Sequence, residues 1–337
     1  MATALDEKTT SRPITRAFSN TLLSSREVGR HPRAHKADQP PPFWHRDSLT
    51  LQKLLQGAWD EVSPDTVKGI LEAFKANEPA TIEKLLEQLK DLGSDFVEAL
   101  GDAPEAVFSN LLLKAEAYWT LHAKEIGIEE PKTILESYRE NMAKAWGEQI
   151  KTFSEAYPER ILEPEITRQL EYLVETKTPS ALQIDGIVEK LERLTDGGDY
   201  FKNLSDVQIA RAFQADGIKN ADGNGIGTCQ GVGPVDEKTC PVCLNLIGVE
   251  IDVAKMLEKI DSDLDIEDPD AYAEAWSFPR IEDIGGLPRA DLKDLMEENG
   301  WLPPWHPHCR HSVGWLYAKE EGEKPKEETE ETEEEAA

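Results

Sequence analysis

Two short stretches, Cys240-Pro241-Val242-Cys243 and His306-Pro307-His308-Cys309-Arg310-His311, restrict the fold more than anything else in the chain. Together they hold three of the four cysteines and three of the seven histidines. A C-x-x-C pair turns two sulfurs to one side of a tight turn, and an H-x-x-C pair can do the same with a nitrogen and a sulfur. Thiolate and imidazole in tetrahedral array are what zinc prefers. The stretch between the pairs is long, but loop-closure entropy grows only with the logarithm of length. The spacing therefore predicts a closed structural zinc site with Cys240, Cys243, His306 and Cys309 as ligands. Cys229, His308 and His311 stand in reserve, and His308 should point away if His306 and Cys309 share a turn.

Three other readings compete. C-P-x-C is also a dithiol redox motif, found where a strand meets a helix. Here Leu244-Asn245-Leu246-Ile247-Gly248 follows it, which reads as a short apolar run ended by glycine rather than a helix. The cysteines could instead be buried free thiols beside surface histidines. A catalytic metal with an open position is the third reading. Four soft ligands and no H-E-x-x-H favour the closed site.

The rest of the chain reads as mainly α. From Ser48 to about Leu194 one helical pattern follows another. Leu51, Leu54, Leu55 and Trp59 mark the first stripe, and Ser63-Pro64 opens the next, with Val67, Ile70, Leu71 and Phe74 inward. Further helices are expected over Thr81 to Leu92, from Pro104 through Ile128, from Pro131 through Tyr157, and from Pro164 and Pro179. Ile134, Leu135, Tyr138, Met142, Trp146, Ile150 and Phe153 are the expected inner face of the Pro131 helix. Tyr118, Trp119 and His122 read as core rather than site. A helix from Asp206 to Ala221 is expected with Ser205 as its cap. A glycine-rich turn region then leads to strands near Ile226 to Val232 and Asn245 to Ile251. Helices follow at Val253 to Ile260, Pro269 to Trp276 and Arg289 to Glu298, and a closing strand falls within His311 to Tyr317. The expected architecture is a multi-helix N-terminal region, residues 48–200, followed by a small α+β zinc-stapled module, residues 201–318.

Both ends read as disordered. Residues 1–47 form a mildly basic arm carrying Arg12, Arg16, Arg26, Arg30, Arg33, Lys36 and Arg46, with few periodic apolar positions. Its Pro40-Pro41-Pro42-Phe43-Trp44 is either a polyproline docking peptide or a plain linker whose aromatics tuck into the body; such linkers are the commoner case. Residues 319–337 form an acidic tail. The net charge of −29 argues against nucleic acid gripped by the whole surface, though not against a local basic strip. No run of 18 apolar residues and no apolar signal core occur, which points to a reducing cytoplasm and no membrane. Asp261-Ser262-Asp263-Leu264-Asp265 starts like a calcium loop, but Ile266 and Tyr272 occupy the positions that need Gly and Glu, so it reads as an acidic loop. No nucleophile, base and orienter can be assigned, so no catalytic residue is named.

The block Ile209-Ala210-Arg211 … Gly217 … Cys240-Pro241-Val242-Cys243-Leu244-Asn245-Leu246-Ile247-Gly248 … Pro304-Trp305-His306-Pro307-His308-Cys309-Arg310-His311 resembles the phage Mu F-like head morphogenesis family of minor head, or minor capsid, proteins. The resemblance covers roughly residues 165–317. It marks the four residues that ligand chemistry selects, and Arg310 also matches. Ala212-Phe213 stands where the family shows Thr-Glu, His311 replaces the final cysteine, and the segment between the motifs is longer than usual. The resemblance implies a structural, non-catalytic part of a tailed-phage or prophage head, acting during procapsid assembly. Its implied partners are the portal and the major capsid or scaffolding protein, with DNA as a further candidate through the basic arm. The implied location is the head interior or portal vertex of the virion, and the host cytoplasm during assembly. A zinc-dependent hydrolase and a C-P-x-C thiol oxidoreductase are the alternatives.

Overall fold

The computed structural model describes residues 43–176, 178–266, 268, 271, 275, 277–306 and 309–316. The basic arm up to residue 42, the acidic tail, His308 and most of the helix expected at Pro269 to Trp276 lie outside these.

The chain is mainly helical, and prolines punctuate it. Pro64, Pro79 and Pro104 each sit in the first turn of a helix, where the missing N–H costs nothing. The helices are α1 His45–Val62, α2 Pro64–Ala76, α3 Pro79–Leu100, α4 Ala103–Glu125 and α5 Glu136–Tyr157. A π-helical turn, Pro158–Leu162, leads into α6 Glu163–Thr176, and α7 Ala181–Thr195 follows. Ser180 opens α7 with a complete capping box to Gln183, a signal present in the sequence as S-x-x-Q. Ser63 makes no such side-chain bond ahead of α2.

Two expected helices are redrawn. α5 starts at Glu136, not Pro131, because Leu135 is extended at ψ 135°; Leu135 is exposed, while Ile134 stays buried outside the helix. The helix expected from Asp206 is α8, Gly198–Gly223, and it begins two turns earlier. Ser205 is therefore no cap: it lies buried in the middle of α8 and its hydroxyl has no hydrogen-bond partner. Cap chemistry and a buried mid-helix serine look alike in sequence. What decides is that Tyr200, Phe201 and Leu204 bury against the body and extend the helix backwards.

α8 is the central element. It packs on α1 and α4 on one side and on the C-terminal elements on the other, and it is buried around nearly its whole circumference. The residue-200 boundary falls inside it, so both parts of the chain share this helix. One hydrophobic core runs without a break from Leu51 to Trp315. Its aromatic centre contains Trp59, Phe96, Tyr157 and Phe201. Trp59 Nε1 and Tyr157 Oη donate to the carbonyls of Thr195 and Leu194 at 2.7 and 2.6 Å, tying down the end of α7. Gly93, inside α3, is a contact point: a Cβ there would stand 2.3 Å from the Glu155 carbonyl oxygen of α5. Phe43 and Trp44 rest against Phe213 of α8, 5.5 and 4.9 Å between ring centroids, as the tucked-linker reading expects. Trp119 is core, stacked on Trp315 at 5.3 Å, whereas Tyr118 beside it is partly exposed.

Beyond α8 the chain forms β1 Thr228–Val232, α9 Pro241–Leu246, β2 Glu250–Asp252, α10 Val253–Leu264, α11 Ile281–Ile284, α12 Arg289–Glu298 and β3 Ser312–Trp315. The strands make an antiparallel sheet in the order β2-β1-β3, with Cys229 opposite both Ile251 and Trp315. The expected strand at Asn245 to Ile251 is broken up: Asn245 and Leu246 end α9, a turn follows, and only its end, from Glu250, is β2. The acidic calcium-like stretch is not a loop either. Asp261 to Leu264 ends α10, with Asp263 buried against Lys259 and Asp261 accepting the Tyr138 hydroxyl at 2.9 Å.

The described residues of the long insert between the cysteine motifs are therefore largely folded structure. Asp252 caps α10, and buried Glu297 of α12 accepts the Asp252 backbone N–H at 2.7 Å and pairs with Lys255 at 2.9 Å. That brings the chain back beside β2 and α10. β3 then locks onto α8: Gln214 Oε1 accepts from Val313 N at 2.8 Å, and Trp315 Nε1 donates to the Gly217 carbonyl at 3.1 Å. Among the described residues, no helix is long and apolar enough to cross a membrane.

Candidate metal centre

Two matching turns build the centre. Cys240 is the N-cap of α9, with Pro241 preset in the first turn, and the Cys243 N–H points at the Cys240 sulfur at 3.4 Å. The dithiol thus does sit at a helix start, contrary to the argument raised against a redox reading, although the helix is only six residues long. The sequence hides this because Leu244-Asn245-Leu246 has no periodicity longer than one turn. Across the centre, the Cys309 N–H donates to the His306 carbonyl at 3.1 Å, closing the second turn.

The four residues selected from the sequence meet. Cys243 Sγ lies 3.1 Å from His306 Nε2 and 3.8 Å from Cys309 Sγ. The donor atoms of Cys240, Cys243 and His306 lie within 4.8 Å of one another, and so do those of Cys243, Cys309 and His311. The two sets share Cys243. Bond lengths of about 2.3 Å to sulfur and about 2.05 Å to nitrogen give tetrahedral edges of about 3.8 Å between sulfurs and about 3.5 Å between sulfur and nitrogen. The Cys243–Cys309 separation matches the first value, and Cys309 Sγ to His311 Nδ1, 3.5 Å, matches the second, whereas Cys243 Sγ to His306 Nε2, 3.1 Å, is shorter than a bound pair would be. In donor type and in two of these separations the residues fit a zinc-like ion.

The electrostatics have the same sense. Hydrogen bonding from the Cys243 thiol, and then from His306, pulls Cys240 down to about 3. Burial works against ionising Cys309, but bonds from Cys243 and His311 outweigh it and hold that thiol well below its usual range. Cys243, between the two, is pushed far up because its proton is the bond to both neighbours, Cys240 first. A divalent cation needs its cysteines as thiolates, so binding one here would release the Cys243 proton.

The reserve residues separate. Cys229 is fully buried in β1 with its thiol pushed up to about 12 by burial, and it belongs to neither donor set. His311 is buried beside Cys309, and its ring lies 5.5 Å from that of Trp305. His122 pairs weakly with Glu125 at 3.9 Å, and burial lowers its pKa.

A buttress that the sequence reading did not identify joins the two turns. Arg310 grips both carboxylate oxygens of Asp236 at 2.9 and 2.6 Å. The Arg310 bonds hold the Asp236 carboxyl well below the usual carboxylate range. Asp236 also accepts the Lys238 N–H, and Thr239 Oγ1 bonds to the Pro234 carbonyl. The turn before Cys240 is therefore anchored to the residue after Cys309. Only Arg310 carried a hint, through its match to the family pattern.

No protein-family model, no curated protein and no solved structure matches this chain.

Proposed function

We propose that the chain is a structural minor head protein of a tailed phage or prophage, whose C-terminal module is closed by one zinc ion. The observation that carries this reading is that Cys243 meets Cys240 and His306 on one side and Cys309 on the other, although the two motifs are far apart in sequence. Those two motifs are also what the resemblance to the Mu F-like family rests on. The ion's part is folding: the unfolded chain has no preformed site, so binding energy becomes folding energy. Its effect reaches the helical body through β3 and its bonds to α8.

The helices of residues 48–200 are the surface for the portal, and for the major capsid or scaffolding protein. The basic arm is the segment for DNA. No reaction is assigned. The test is co-expression with the portal protein: recovery of a portal complex with one zinc per chain is expected. A chain that neither binds portal nor contains zinc would refute the reading.

A thiol oxidoreductase is the second reading. Its specific support is Cys240 at a helix start with a low thiol. Zinc ligation needs the same thiolate, so the two separate experimentally. An oxidoreductase loses turnover but keeps its fold in Cys240→Ser, whereas a zinc clasp loosens its module.

A further inference from the structure

The donor set contains one member more than a tetrahedral ion needs. Cys243 belongs to both triads, Cys240 lies on the side of His306, and Cys309 lies on the side of His311. His306 is half-buried, and its Nε2 reaches Cys243 Sγ at 3.1 Å. His311 is 2% exposed, its Nδ1 lies 3.5 Å from Cys309 Sγ, and its buried Nε2 has no hydrogen-bond partner among the described residues. Cys309 and His311 are two apart, just before β3. The His311 ring is held in place: it lies 31° from the plane of Trp305, and a Cβ at Gly233 would come within 2.6 Å of its Cδ2. A buried imidazole fixed with one nitrogen on a thiolate is placed as a ligand is placed.

We propose that His306 and His311 are alternative nitrogen ligands of a single zinc ion, which the thiolates of Cys240, Cys243 and Cys309 hold throughout. This rests on the zinc reading above. Zinc has no directional preference from its d electrons, so exchanging one imidazole for another leaves a three-sulfur, one-nitrogen site unchanged in kind. The exchange also gives the ion a way to stay bound while the more accessible His306 leaves.

The test uses the full chain and zinc alone. Wild type should hold one zinc per chain. His306→Ala and His311→Ala should each still hold one. Affinity should fall about twofold if the two arrangements are equally populated, and at most about tenfold if one is favoured nine to one. His306→Ala/His311→Ala should lose the ion. Should either single variant lose zinc, or the double variant keep it, or wild type bind two ions, the alternation is wrong while the zinc site stands. Wild type without zinc would instead sink the zinc reading itself. If a variant does not fold, cadmium-loaded wild type with 15N-labelled histidine decides: coupling of the metal to both rings is expected, and coupling to one ring alone overturns the proposal.

Discussion

Removing the sulfur common to both donor triads is the sharpest perturbation available. Cys243 is 1% exposed, so Cys243→Ala disturbs no surface, and it takes away the atom bonded towards His306 and Cys309. An ion held as proposed would cross-link positions 66 apart through Cys243 and Cys309. Closing a loop of that length removes unfolded-state entropy worth about 4 kcal/mol at 25 °C, by the relation used for disulfides. The vacated sulfur adds about 1 kcal/mol of lost burial. A change of 1 kcal/mol moves the melting temperature of a body this size by roughly 2–4 °C, so a fall of about 10–20 °C is expected. The assay is a thermal melt of wild type and variant, each with zinc and with a tight chelator. Chelated wild type should fall by most of that amount, and the variant should ignore zinc. A wild-type melting temperature that moves by less than about 1 °C on chelation would refute the clasp.

Cys229→Ala should keep one zinc per chain, because that thiol faces the sheet's own core; loss of the metal, read by elemental analysis, would return Cys229 to the ligand set. Burial raises Asp216 to about 8, against the pull of Arg139 and Asn220, so the native state holds a proton that the unfolded chain releases. The stability this gives is complete below about pH 4 and is lost as pH rises towards 8, by at most about 1.4 kcal/mol per pH unit. Asp216→Asn should therefore gain on wild type as pH rises from 5 to 8 in urea melts; a gap constant with pH would contradict this. Gly93→Ala should destabilise by about 1–3 kcal/mol, since its Cβ meets the Glu155 carbonyl of α5. Gly57→Ala, in open space on α1, should instead stabilise by about 0.5–1 kcal/mol, and equal effects at the two sites would show that close approach is not what Gly93 serves.

Local signals account for much of what the sequence reveals. Proline in a first turn and apolar spacing locate most helices, because both act within a few residues. The spacing Cys240 to Cys243 and His306 to Cys309 names four candidate donors, since metal chemistry constrains the residue types and tight turns constrain the gaps. The same local logic misplaces Ser205, Leu135 and α9. A buried serine, an exposed leucine and a single helical turn differ from a cap, a core position and a strand only in what packs on them.

What the chain alone determined was which residues could hold an ion and where helices begin. Only the tertiary structure decided that α8 unites both halves, that Glu297 folds the insert back, that Cys229 stays apart and that His311 joins the donors. The reason is physical. Periodicity and ligand type are short-range properties written in order along the backbone, whereas burial and the approach of residues many positions apart depend on every intervening element having found its place.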